Sequence, residues 1–124
     1  MPSPNLVAAE VITIAGTGTD EFSGDGGPAL KAGLSQPFGL EIAPDGNLYF
    51  CDYSNHVVRR IDQTSSMIST GTIATLVGNG KAGDGPDGDP RKCQLKRPHG
   101  VFVDRAGVIS IGDSGNNKIR KFVR

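Results

Sequence analysis

The chain has no tryptophan, only 2 cysteines, and 13 acidic side chains against 13 basic ones among its 124 residues. A net charge of zero excludes a protein that binds nucleic acid through a strongly basic overall charge. Two cysteines without C-x-x-C spacing are too few for a disulfide scaffold. The apolar runs are only a few residues long, which excludes a membrane-spanning helix.

The N-terminal stretch MPSPNLVAAEV has neither a basic start nor a long apolar run, so it predicts no secretory signal and favours a cytoplasmic location. We expect residues 1–10 to form a disordered N-terminal extension and residues 11–124 to form the folded domain. The 18 glycines and 8 prolines indicate a turn-rich chain, and 36% hydrophobic residues indicate a modest core.

The chain contains an internal repeat. Residues 34–61 align without gaps on residues 95–122, and 61 positions separate the aligned prolines Pro37 and Pro98. Seven of the 28 aligned pairs are identical. They are Leu34/Leu95, Pro37/Pro98, Gly39/Gly100, Gly46/Gly107, Asp52/Asp113, Asn55/Asn116 and Arg59/Arg120. Such self-similarity is the signature of a repeat architecture.

A further similarity precedes each copy, because Val11–Gly16 resembles Ile73–Gly78 at an offset of 62 residues. Each unit of about sixty residues therefore contains four β-like runs bounded by turn formers. In the first unit they are Val11–Ala15, Gly39–Ile42, Leu48–Cys51 and Val57–Ile61, and in the second Thr72–Val77, Gly100–Val103, Val108–Ile111 and Lys118–Val123. The pattern predicts an all-β fold of two four-stranded antiparallel blades, each unit beginning with an outermost strand.

The repeated residues resemble the NHL repeat family. The motifs are P-F-G-L at residues 37–40, G-N-L-Y-F-C-D at residues 46–52 and N-H-V-V-R-R-I at residues 55–61. The second copy departs from this pattern at Val108 and Ser110. The resemblance implies a segment of a six-bladed β-propeller, from residue 11 onward, with repeat cores at 34–61 and 95–122.

Two blades make only part of a ring, and their outer faces would expose apolar side chains and free strand edges. Three alternatives follow: a fragment whose remaining blades belong to a longer chain, a homo-oligomer that completes the ring, or a marginal two-blade unit.

An Asp-x-x-Asn pattern occurs in both copies, at Asp52 and Asn55 and again at Asp113 and Asn116. These side chains could form a metal or catalytic site, or they could bond backbone groups to fix a turn. Because a catalytic residue seldom needs a copy in each blade, we favour the structural turn.

Two positions are candidates for metal binding. The loop containing Asp84, Asp87 and Asp89, whose counterpart in the first unit contains Asp25, could hold calcium, although its spacing matches no calcium loop. His99 lies in a P-H-G motif that resembles the zinc-binding element of peptidyl-hydroxyglycine alpha-amidating lyases. One histidine is too few for a zinc site, so the favoured assignment of His99 is to the rim of the propeller.

The third strand of each copy is basic, with Arg59 and Arg60 in the first and Arg120 and Lys121 in the second. These residues could form a basic face that binds RNA, but no aromatic cluster for stacking bases accompanies them. We favour the alternative in which the arginine stems cover the sheet while their head groups reach solvent or loop carbonyls.

The favoured function is a non-catalytic protein-interaction or scaffold module whose partner is another protein or the remaining blades. Its expected binding rim comprises Ser23–Ala29, Phe38, Ala82–Pro90 and His99. The first alternative is a zinc-dependent lyase or hydrolase site at the propeller axis, where three copies of His99 could converge. The second is RNA binding through the basic face.

Overall fold

The computed structural model describes residues 9–63 and 71–123, so residues 1–8 of the predicted N-terminal extension lie outside the described part. Within the described residues there are seven strands and three 3-10 turns. No helix there combines the length and apolar character needed to cross a membrane. The strands are β1 (Pro37–Ile42), β2 (Leu48–Asp52), β3 (Val57–Asp62), β4 (Thr72–Val77), β5 (Gly100–Val103), β6 (Ile109–Asp113) and β7 (Lys118–Phe122), and the 3-10 turns are Ala29–Lys31, Tyr53–Asn55 and Ser114–Asn116.

The strands form two antiparallel sheets in chain order, β1-β2-β3-β4 and β5-β6-β7. The all-β prediction is therefore confirmed, and each sheet is a propeller-type blade. The two predicted blades are present as partial propeller blades, and seven of the eight predicted strands form within the described residues. Thr72–Val77 pairs with β3 and completes the first sheet, whereas Val11–Ala15 does not form a strand.

Each sheet has two faces, since alternate residues of a strand point to opposite sides. The front face of the first sheet carries Leu40, Ile42, Leu48, Phe50 and Ile61, and its rear face carries Tyr49, Cys51, Val58 and Val77. The front face of the second sheet carries Val101, Val103, Ile109 and Ile111, and its rear face carries Phe102, Ser110, Gly112 and Ile119. The rear face of the first sheet packs on the front face of the second in one buried apolar cluster.

The first sheet comes close to the start of the second at Gly39, whose φ of +63° lies in the left-handed region. A Cβ atom at this position would lie 2.5 Å from the carbonyl oxygen of His99. Only glycine combines this conformation with this approach. The repeated glycine at the start of β1 therefore sets the spacing between the sheets.

The front face of the first sheet is only partly covered. Ile14, Ala15 and Leu34 pack against its cluster, but Leu40 is 65% exposed and Ile42 is 68% exposed. The aligned residues of the second copy, Val101 and Val103, are 9% and 6% exposed because the first sheet covers them.

Candidate functional site

Phe38 and His99 occupy aligned positions, each directly before the repeated glycine at or near the start of the inner strand of its sheet. Their rings stack with centroids 4.5 Å apart and an interplanar angle of 24°. His99 is exposed, and Phe38 is 38% exposed. The close approach of the two sheets at Gly39 thus creates an aromatic surface that spans the junction between blades.

Tyr53 adds a third ring to this surface. It follows β2 directly, and because β2 runs antiparallel to β1, the turn after β2 lies beside the start of β1. Its ring meets Phe38 edge-on at 4.9 Å and lies 6.0 Å from His99. We call Phe38, Tyr53 and His99 the aromatic rim. The sequence prediction included Phe38 and His99 but missed Tyr53, whose aligned residue in the second copy is Ser114.

Positive charge borders the aromatic rim, because Lys96 and Arg97 are both exposed immediately before the Pro98-His99 pair. The backbone N–H of Arg97 donates a hydrogen bond to Nδ1 of His56 at 3.0 Å. Burial, assisted by the charges of Arg97 and Lys96, lowers the pKa of His56. His56 therefore accepts this bond in its neutral form and ties the turn of the first blade to the loop that leads into the second.

The Asp-x-x-Asn residues have the same contacts in both blades. One carboxylate oxygen of Asp52 accepts a bond from the backbone N–H of Ser35 at 2.8 Å, and the other accepts one from Asn55 at 2.9 Å. Asp113 accepts the matching bonds from the backbone N–H of Lys96 and from Asn116, also at 2.8 and 2.9 Å. Both aspartates are fully buried. They connect the loop before the inner strand to the turn after the second strand.

Of the four residues of the candidate basic face, Arg59 and Arg120 are buried, Arg60 is half-buried and Lys121 is exposed. Arg59 exposes none of its surface and Arg120 only 9%, so neither can present its charge to a polyanion. Arg59 donates to Asp52 at 3.2 Å, to the carbonyl of Gly33 at 2.8 Å and to Asp25 at 2.8 Å. Burying an arginine requires such partners, and the loop preceding each blade supplies them.

The carboxylates predicted to bind calcium contact basic side chains or their own turn instead. Asp87 accepts a bond from Arg120 at 2.8 Å, and Asp84 accepts one from Lys118 at 2.8 Å, which lowers the pKa of Asp84. Asp89 accepts a bond from the backbone N–H of Arg91 at 3.0 Å.

Among the residues with a described position, no group of three His, Cys, Asp or Glu side chains is arranged to hold a metal ion. The neighbours of His99 are aromatic rings rather than ligands. One chain therefore does not supply a zinc set at His99, and the zinc and calcium sites stay predictions.

Both cysteines are buried free thiols. Burial, followed by the charge of Asp113, raises the pKa of Cys51 from 9.0 to about 12. Burial also raises the pKa of Cys93. A raised pKa keeps a thiol protonated and poorly nucleophilic, so neither residue is suited to covalent chemistry at neutral pH.

No family model matches the chain. Over 100 residues the chain is 32% identical to Protein Suppressor of Quenching 1, chloroplastic, of Arabidopsis thaliana, a match that covers 81% of this chain and 9% of that protein. Over 131 residues it is 29% identical to NHL repeat-containing protein 2 of Bos taurus, covering 97% of this chain and 17% of that one. The chain thus spans less than a fifth of the length of either relative.

A crystal structure of a protein of unknown function from Bacteroides thetaiotaomicron shares the fold, with a TM-score of 0.71 at 23% identity. The match covers 87% of this chain and 26% of that one. Together with the repeated motifs and the two stacked sheets, these similarities show that the chain is an NHL-type repeat protein that forms two blades of a β-propeller.

Proposed function

We propose that this propeller segment is a non-catalytic binding module whose aromatic rim takes an acidic polypeptide segment. The observation that carries the proposal is the stack of Phe38 on His99 across the blade junction. An aromatic cluster that remains accessible on a rigid support provides contact area at little cost in conformational entropy, and aromatic residues and arginine are enriched at protein interfaces.

The charge around the aromatic rim supports an acidic partner. Lys96 and Arg97 are exposed beside His99, whereas Asp52 and Asp113 are buried and paired. An approaching carboxylate would therefore meet positive charge first, which raises the association rate and favours acidic ligands.

The geometry also favours binding over catalysis. The acidic side chains Asp25, Asp84 and Asp87 lie in ion pairs with basic residues, and both thiols are buried. A general acid or base must reach a reacting atom within hydrogen-bond distance. The aromatic rim itself brings together one phenyl ring, one phenol and one imidazole.

Fluorescence polarisation with two synthetic probes tests the proposal. The first alternates Glu with Leu and Tyr, and the second replaces each Glu with Lys. We expect the acidic probe to bind more tightly, with an affinity that falls as salt rises. Phe38→Ala and Lys96→Glu should each weaken it by tenfold or more, whereas Phe102→Ala, on the rear face of the second sheet, should leave it unchanged. Equal binding of both probes, or no effect of Phe38→Ala, would contradict the proposal.

A further inference from the structure

His56 ends the turn after β2, where its φ of +58° lies in the left-handed region. The aligned residue of the second blade is Asn117, whose φ is +56°. Asparagine adopts this conformation more readily than most residues with a side chain, so the turn itself does not require an imidazole. The presence of a histidine in the first blade must therefore be explained by what its ring contacts.

The ring of His56 contacts the loop that leads into the second blade. Its Nδ1 accepts the backbone N–H of Arg97 at 3.0 Å, although the two residues are 41 positions apart. The residue before Arg97 is held by the second blade instead. The N–H of Lys96 donates to Asp113 at 2.8 Å, and its carbonyl accepts the N–H of Gly115 at 2.8 Å. The loop is thus attached to one blade at Lys96 and to the other at Arg97.

Arg97 has a backbone conformation that needs support. Its φ is +49°, and the next residue is Pro98. The left-handed region is unfavourable for a residue with a side chain, and a following proline restricts that residue further towards extended conformations. The chain then continues through the fully buried Pro98 to His99, and β5 begins only at Gly100. The bond to His56 therefore stabilises a strained conformation directly beside the aromatic rim.

The aligned residue of the first blade is supported in a different way. Gln36 also has a positive φ, of +58°, and precedes Pro37. Its backbone carbonyl accepts the N–H of Tyr53 at 3.2 Å, and its side-chain carbonyl accepts the hydroxyl of Ser54. Both donors belong to the turn of the same blade. Arg97 bonds the turn of the neighbouring blade, so its position depends on the contact between blades.

Protonation of His56 would break this contact. An imidazolium has two N–H donors and no acceptor, so it cannot receive the N–H of Arg97. In the described part of the chain the charged groups that face His56 are the cations Lys96 and Arg97. Its own turn contributes the titratable Tyr53, and Gly78, after β4, lies against its backbone carbonyl without a side chain. A charged His56 would therefore lose its bond and repel the residues that it holds.

We propose that His56 is a positioning residue for the aromatic rim: its neutral ring holds the Lys96–His99 segment against the first blade, and its protonation in mild acid releases the segment and weakens binding of an acidic ligand. This inference rests on the proposed function, in which the aromatic rim and the cations beside it bind an acidic segment. Displacement of Lys96 and Arg97 would remove the charge that attracts the ligand. Protonation of His99 would have the opposite effect, because it would add positive charge to the binding surface.

Amide NMR of the full chain without ligand tests the contact. As the pH falls from about 7.5 to 5.5, we expect the N–H signal of Arg97 to shift with the same midpoint as the ring protons of His56. His56→Asn, which suits the left-handed turn, should abolish this shift. Asn117→His, which adds a histidine at the exposed aligned position of the second blade, should leave the shift unchanged. An Arg97 signal that does not follow His56 overturns the inference, whatever the ligand does.

Fluorescence polarisation with the glutamate-containing probe tests the consequence for binding. Over the same pH range the glutamates of the probe stay mostly ionised. We expect the affinity of the wild-type chain to fall by about fivefold, which is the loss expected for one hydrogen bond. His56→Asn should bind about fivefold more weakly than the wild type at neutral pH and lose no further affinity in acid. Asn117→His should follow the wild type. Circular dichroism at each pH identifies the range in which every chain is folded, and affinities are compared within it.

The inference and the proposed function fail in different ways. A wild-type chain that does not bind the probe at neutral pH contradicts the proposed function, and this inference with it. Wild-type binding that stays constant or tightens in acid overturns the inference alone, and so does a His56→Asn variant with the wild-type affinity and pH dependence.

Discussion

Arg59 and Asp52 form an ion pair at 3.2 Å in which neither side chain has any exposed surface. Arg120 and Asp113 repeat the pair in the second blade at 3.4 Å. In each blade the aspartate also bonds the loop before the inner strand, and the arginine bonds a carbonyl of that loop. The two residues thus attach the loop before each inner strand to the sheet.

Arg59→Ala should destabilise the fold strongly, because it leaves the buried carboxylate of Asp52 without its cation. Removing one partner of a buried pair costs about 3–5 kcal/mol. The matched control is Arg60→Ala: Arg60 pairs with Asp62 at the surface, where such pairs contribute about 0–1 kcal/mol. Urea unfolding measures both. Similar losses for the two variants would show that burial does not govern the contribution of Arg59.

Gly39→Ala should loosen the contact between the blades, since the new Cβ would lie 2.5 Å from the carbonyl of His99. Gly46→Ala is the control, because Gly46 also has a positive φ but no atom lies within 4 Å of its Cβ position. In the control, the unfolding free energy should fall only by the cost of a side chain in the left-handed conformation, about 1–2 kcal/mol. We expect a larger loss of unfolding free energy for Gly39→Ala, and equal losses would contradict the close approach.

Acidification should weaken the fold through His56. Its pKa is lowered in the folded state by burial and by neighbouring cations, so as pH falls below about 6.5 the unfolded chain takes up the proton first. His56→Asn should remove this part of the pH dependence, because Asn117 has the same left-handed conformation at the aligned position. Urea unfolding between pH 5 and 7 of both proteins gives the comparison. Parallel curves would contradict the prediction.

Alkaline conditions should weaken the fold through Cys51. The folded-state pKa is raised from 9.0 to about 12, so stability is complete below pH 9 and falls as pH rises towards 12, by up to about 1.4 kcal/mol per pH unit. Cys51→Ala should flatten this slope. Thiol titration with an aromatic disulfide provides a second measurement, and rapid labelling of native Cys51 at pH 8 would contradict the assignment.

The sequence was sufficient to predict the blades, because the aspartate, asparagine and arginine at fixed offsets contact one another within one repeat. It was insufficient to assign Val11–Ala15, because the partner of an outer strand depends on which sheets are present rather than on local pattern. Tyr53 escaped prediction for a related reason. Its aligned residue is Ser114, so comparison of the two copies gives no sign that an aromatic ring belongs there.

The burial of Arg59 and Arg120 could be predicted only in part. The sequence favours stems that cover the sheet and head groups that reach solvent or loop carbonyls, and both head groups do bond loop carbonyls. Their full burial depends on loop residues that precede them by more than thirty positions, such as Asp25 and Asp87. Contacts at that separation follow from the folded topology.

The sequence unit and the sheet are out of phase by one strand, since the second unit begins with Thr72–Val77, the strand that completes the first sheet. In a tandem duplication of about sixty residues, the first strand of each new unit would therefore pair with the sheet of the unit before it. Arrays of this kind can lengthen without an intermediate in which neighbours are joined by a linker alone.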